Sequence, residues 1–170
     1  EPLDTPLGFG TGAGVIFGVT GGVAEAVIRR VVDDKSNNML HNIAYTGVRG
    51  MEGIKEASIP YGEGRVKIAV VNGLANAEKL IEQIEIGEAE YDFVEVMACP
   101  GGCIAGAGQP FTRMEGKKER AKGLYDADKL SQVKRSEENP VMMALYGGIL
   151  KNKTHELLHV DYNKREEVAK

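Results

Sequence analysis

Cysteine is scarce: the 170 residues carry only two, Cys99 and Cys103. One disulfide at most can form, so this is no disulfide framework. A chain of this length can bury about 70% of its unfolded surface without covalent staples, and nothing points to an oxidising compartment. Histidine is scarce too, limited to His41, His155 and His159. No apolar run approaches the roughly 20 residues that span a bilayer. No basic start followed by an apolar segment suggests a secretion signal. The net charge of −4 gives no overall pull toward nucleic acid or an anionic membrane. Repeats and low-complexity linkers are absent. We therefore expect a cytoplasmic protein that binds neither nucleic acid nor membrane. The first residue is Glu1, not methionine, which leads us to expect a piece of a longer protein.

What is present is ordinary in bulk and unusual in detail. Hydrophobic residues make up 42% and charged residues 27%, proportions that fit a soluble globular domain. The 22 glycines are unevenly placed, crowding into Gly8 to Gly22 and Gly101 to Gly108. The first stretch does not make a phosphate loop. No three of its glycines satisfy G-x-G-x-x-G, and no Lys-Ser/Thr follows. A tight turn packed against neighbouring backbone is the alternative.

Periodicity supplies the elements. Val19, Val23, Val27 and Val31 recur every four residues and predict one apolar stripe on a helix from about Gly22 to Val32. Glu25 lies in its first turn and Arg29 and Arg30 near its end, as the helix dipole favours. Residues 33–42 read as a loop, and Ile43 to Val48 as a strand. Ala57 to Pro60 and Arg65 to Val71 flank Tyr61-Gly62-Glu63-Gly64, which predicts a hairpin. A helix from about Ala75 to Ile86 would bury Ala77, Leu80, Ile81 and Ile84, with Leu74 extending that face. Tyr91 to Met97 is an apolar strand that runs straight into the cysteines. Strand, helix and strand over residues 65–97 make a βαβ unit, hence a parallel pair. Residues 113–135 are highly charged and include an exposed helix. Asn139 caps a further helix with Pro140 at its first position. Val141, Leu145 and Ile149 form its buried side. Thr154 can cap a last helix through His159.

Two motifs carry chemistry. Met97-Ala98-Cys99-Pro100-Gly101-Gly102-Cys103 follows a strand of a parallel pair, where ligands of open α/β sheets bind. Thiolates are the usual ligands of iron–sulfur clusters. Glycines let backbone approach a bulky group closely. Taken alone, Cys-x-x-x-Cys is by default a pair of inert buried thiols, and two thiolates do not complete a 4Fe–4S cluster. His155-Glu156-Leu157-Leu158-His159 fits H-E-x-x-H, the helical zinc site with Glu156 as general base. No natural third ligand follows, because Asp161 is too close. Solvated surface histidines are the alternative.

Glu95 to Pro110, EVMACPGGCIAGAGQP, resembles the third cluster-binding signature of iron-only ([FeFe]) hydrogenases. Gly12 to Ala26, Val48 to Lys55, and Asn139 to His159 are similar to further blocks of that family, in order. The resemblance implies an α/β fold: a small, mostly parallel sheet flanked by helices, one lobe of a two-lobed hydrogenase catalytic domain. That lobe would span residues 1–162, with 163–170 a charged tail. It implies an H-cluster, a 4Fe–4S cubane joined to a two-iron centre that interconverts protons and hydrogen. Cys99 would hold the cubane and Cys103 would also bridge to the two-iron centre. Met97 and Phe17 would line the cofactor pocket.

It also implies what lies elsewhere. The other two cluster cysteines and the proton-relay cysteine belong to a missing N-terminal half, so no catalytic residue is expected in this segment. The expected partners are that half and an electron donor such as ferredoxin or an NAD(P)H-linked subunit. The segment alone is expected to fold, lack a complete cluster, be inactive and self-associate through its exposed lobe interface. Ala105 and Ala107 stand where the family often has glycine, which is tolerable unless the backbone there needs positive φ. The resemblance also accounts for H-E-x-x-H as a family sequence without zinc. Two alternatives stand beside it: a hydrogenase-like iron–sulfur assembly protein, and a zinc protease at His155, Glu156 and His159.

Overall fold

The computed structural model describes residues 10–31, 48–51 and 53–160. The loop expected at 33–42, the charged tail and all of the strand expected at 43–48 except Val48 lie outside the described residues; Val48 itself has helical, not extended, backbone.

A short helix α1 (Gly12–Val15) opens the fold. A single 3-10 turn, Ile16–Gly18, links it toward α2 (Gly22–Val31). The expected hairpin is present as β1 (Ile54–Tyr61) and β2 (Gly64–Asn72), joined by a two-residue turn. Helix α3 (Leu74–Glu85) crosses back to β3 (Phe93–Met97). The sheet order is β1-β2-β3. β1 and β2 are antiparallel, with Ala57 opposite Ile68. β2 and β3 are parallel, with Val70 opposite Glu95. The fold is thus α/β with helices flanking a small mixed sheet, and the predicted βαβ unit is its parallel half. Three helices follow: α4 (Met114–Leu130), α5 (Pro140–Gly147) and α6 (Thr154–Leu158).

Two apolar layers sandwich the sheet. On one face Ala24 and Ile28 of α2 pack with Val48, Ile59, Ile68 and Val70. On the other, Ala77 and Leu80 of α3 cover Ala69 and Val71. Ile16, Val19 and Ile104 form a third cluster against Ala121, Leu124 and Tyr125 of α4.

Several helix faces differ from the sequence reading. On α2 the buried residues are Gly22, Ala24, Glu25, Ile28 and Arg29, while Val23 and Val27 are half-buried. The valine repeat points about one residue away from the true interface. Charged Glu25 and Arg29 go inside because each finds a partner there. Arg29 bonds Glu25 at 2.5 Å and Asp128 of α4 at 2.7 Å, and Arg49 bonds Glu25 at 2.8 Å. Ile81, Ile84 and Leu74 of α3 are exposed, because a sheet of three strands covers only a narrow stripe of the helix. Asn139 caps α5 as expected, accepting from the Val141 and Met142 N–H groups. That helix stops at Gly147, so Ile149 leaves its face and is exposed. Lys153, not Thr154, precedes α6, and His159 ends it in extended backbone.

Candidate metal centre

The loop 98–110 leaves β3 at the carboxyl end of the parallel pair. Cys99 and Cys103 are both free thiols and both exposed. Exposure decides against the inert-thiol reading, which needs burial. Gly101 and Gly102 take φ of 102° and 85°, a conformation that side-chain-bearing residues avoid. A Cβ at Gly102 would sit 2.8 Å from the Gly18 oxygen and 2.9 Å from the Thr20 nitrogen. The loop therefore lies directly on the turn after Phe17. A Cβ on Gly106 would approach the Cys99 sulfur at 3.8 Å, so the far end of the loop curls back over the first thiol. Asn152 is the one non-glycine with positive φ among the described residues. The methyl groups of Ala105 and Ala107 are accordingly accommodated without strain.

Buried polar groups fasten this loop. The Thr20 N–H donates to the Gly101 carbonyl at 3.3 Å. Asn72, the last residue of β2, accepts the Gly101 N–H at 2.9 Å and the Thr20 hydroxyl at 3.4 Å. Glu95 on β3 accepts the Gly21 and Ala24 N–H groups, each at 2.7 Å, at the start of α2. Burial pushes the Glu95 carboxyl above its usual range, and those backbone donors oppose the shift. Arg120 of α4 donates to the carbonyls of Ile104 at 2.9 Å and Pro110 at 2.6 Å, closing the loop from the other side. The Arg49 guanidinium stacks 3.9 Å over the Tyr125 ring. Beside the loop is a pocket of about 400 Å³ lined by Thr20, Met51, Gly101, Ile104, Met114 and Tyr125, among others.

The structure thus brings the glycine-rich turn and the cysteine loop together. Phe17 stands 46% exposed, and Met97 is half-buried at the end of β3. Asn72, Glu95 and Thr20 were not singled out from sequence. The available signal was position: Asn72 ends an apolar strand, and Glu95 interrupts one. His155 and His159 touch edge-on with ring centroids 4.4 Å apart. Among the described residues no three His, Cys, Asp or Glu converge as a metal site, so the zinc alternative lacks a third ligand there.

The donor set is two soft thiols on a close-approach loop beside exposed apolar groups. It suits half the ligand shell of a four-thiolate cluster.

Residues 1–107 match the C-terminal domain of the iron-only hydrogenase large subunit, and residues 114–165 match the iron hydrogenase small subunit. The chain belongs to the iron-only hydrogenase family. It is 41% identical to an NADP-reducing hydrogenase subunit of Solidesulfovibrio fructosivorans over 99% of this chain, and 39% identical to iron hydrogenase 1 of Clostridium pasteurianum over 95%. The chain spans 30% of each of those relatives. A cytosolic Fe-S cluster assembly factor of Xenopus tropicalis is 28% identical over 99% of the chain and is 37% covered. A solved [FeFe]-hydrogenase from Chlamydomonas reinhardtii matches 94% of the chain at TM-score 0.64 and 37% identity, with 48% of that structure covered. Among the described residues no helix is long and apolar enough to cross a membrane.

Proposed function

We propose that this chain is the C-terminal lobe of a hydrogenase catalytic domain whose parent protein interconverts protons and electrons with H2. The lobe would comprise residues 1–162, with 163–170 as a tail. The observation that carries the reading is the exposed thiol pair on a loop braced from three sides. Family membership supports an H-cluster as the group such a pair would hold.

In this reading Cys99 and Cys103 would hold the cubane part of an H-cluster, and Cys103 would be the thiol shared with its two-iron part. When bound, that H-cluster would supply the redox chemistry. The chain's own residues hold and shelter it. Phe17 and Met97 would line the cofactor pocket with an apolar wall and help to exclude water from it. Gly102 lets the loop lie on the turn after Phe17, which fixes that wall relative to the thiols. The other two thiolates, the proton-relay cysteine and the entry for electrons belong to the N-terminal half, the chain's main partner. Ferredoxin or an NAD(P)H-linked subunit is the proposed donor. The cytoplasm is the proposed compartment, although one relative is named as periplasmic.

The test is Cys99→Ser and Cys103→Ser in the parent protein, matured without oxygen. Each should abolish hydrogen evolution and lower iron and acid-labile sulfide. Turnover that survives Cys103→Ser overturns the reading. The assembly-factor alternative predicts iron without hydrogen evolution in the unmodified parent. The 170-residue chain alone should hold little iron and evolve no hydrogen, because two thiolates are half of what the cubane uses.

A further inference from the structure

We infer that Asn72 is a positioning residue for the cysteine loop, fixing the peptide group midway between Cys99 and Cys103. Its functional consequence rests on the hydrogenase reading above; its geometry does not.

Asn72 is 5% exposed and its polar atoms face four segments of the chain. Oδ1 accepts the Gly101 N–H at 2.9 Å and the Thr20 hydroxyl at 3.4 Å. Nδ2 donates to the Met51 carbonyl at 2.8 Å. The backbone N–H donates to the Gly53 carbonyl at 2.8 Å. The backbone carbonyl accepts from Asn76 Nδ2 at 2.7 Å. This network also fixes the amide orientation. Turned over, the NH2 group would face the Gly101 N–H, donor against donor, and the oxygen would face the Met51 carbonyl.

A satisfied core asparagine is the plainer account, and the two glycines of the loop argue for more. Gly101 and Gly102 both have positive φ, and glycine passes between conformations at little steric cost. The peptide group entering Gly101 is held at its N–H by Asn72, and the Gly101 carbonyl is held by the Thr20 N–H at 3.3 Å. Without Asn72 the first of these restraints is gone and that peptide is free to rotate. Rotation would reverse the dipole of a peptide that lies in the chain between the two cysteines, which would change both the spacing and the field of their sulfurs. Side chains that orient metal ligands in this indirect way typically matter by about ten- to a hundredfold in affinity or activity.

The experiment uses two preparations. In the full parent protein, Asn72→Ala should lower hydrogen evolution about ten- to a hundredfold and shift the electron paramagnetic resonance signature of the reduced cubane. Asn76→Ala is the control: it removes a hydrogen bond to Asn72 without touching the loop, and should leave the signature as in the unmodified protein. In the 170-residue chain, amide hydrogen exchange at Gly101 should be slow, and should speed up in Asn72→Ala. Should Asn72→Ala fail to fold, Asn72→Asp decides, because its carboxyl, protonated so that it donates to the Met51 carbonyl as Nδ2 does, still accepts from Gly101 and should preserve protection there. An unchanged cubane signature in folded Asn72→Ala overturns the assignment, as does unchanged Gly101 exchange or lost protection in Asn72→Asp. If the unmodified parent makes no hydrogen, the hydrogenase reading falls, and the exchange measurement still decides the role of Asn72.

Discussion

Glu95 and Gly21 are joined across the molecule: the carboxylate on β3 accepts the Gly21 N–H at 2.7 Å. Its other oxygen accepts the Ala24 N–H at 2.7 Å. The strand that delivers the cysteine loop is thereby pinned to the amino end of α2, where a negative charge meets unpaired donors and the helix dipole. The turn carrying Thr20 and the strand carrying Met97 cannot move independently while this link holds.

The link has a pH signature. Burial raises the folded-state value of Glu95 against the pull of its backbone donors. An unfolded glutamate titrates near about 4.3. Between that value and the raised folded one, the folded state binds more protons. The stability from Glu95 is therefore full below about 4.3 and is lost as pH rises through the folded value. We expect the wild-type chain to gain stability over Glu95→Gln as pH falls from 7 toward 4. Urea midpoints at several pH values measure this, and a constant difference would defeat it.

The buried charges between α2 and α4 behave the other way. Desolvation pushes Asp128 up, but its hydrogen bonds and charge pairing with Arg29 outweigh this and hold it below the usual carboxylate range. Its stability contribution is present above about 3.9 and is lost as pH falls through the folded value. Arg29→Met should strand Asp128 inside the fold and cost about 3–5 kcal/mol. It should also remove part of the acid sensitivity. Chemical denaturation of the two proteins from pH 7 to 3 checks both statements.

The hairpin, the βαβ unit and the Asn139 cap were legible in the sequence because each is written in local residues. The turn at Gly62-Glu63, the apolar run of β2 and the Asn-Pro pair need no distant partner to be read. The face of α2 was not legible. Its burial of Glu25 and Arg29 depends on Arg49 and Asp128, 24 and 99 residues away from their partners. Asn72 and Glu95 were missed for the same reason: their partners lie 29 and 74 residues distant in sequence. The cysteine motif was legible as chemistry, but its bracing by Thr20 and Arg120 was not.

The H-E-x-x-H segment should not behave as a zinc site. α6 has five residues, and His159 already lies in extended backbone at its end. The two imidazoles touch edge-on, and no third ligand joins them among the described residues. After zinc loading and gel filtration we expect less than stoichiometric metal, unchanged by His159→Ala. One tightly held zinc per chain, lost in that variant, would restore the protease alternative.

Gly102 and Gly108 separate backbone strain from close approach. Both have positive φ, 85° and 91°. At Gly108 an added Cβ meets nothing within 4 Å, whereas at Gly102 it meets backbone atoms of residues 18–20 at 2.8 to 3.0 Å. Gly108→Ala should therefore show only the conformational cost, about 1–2 kcal/mol. Gly102→Ala adds a clash with rigid backbone and must push the cysteine loop off the turn after Phe17. We expect its destabilisation to exceed that of Gly108→Ala. We further expect the thiols of Cys99 and Cys103 to change their alkylation rates in Gly102→Ala, because the loop is displaced while the sheet beneath it is not. In the parent protein the same variant should incorporate less iron, and Gly108→Ala should load normally. Equal stability loss and equal iron content in the two variants would show that contact between loop and turn does not shape the site.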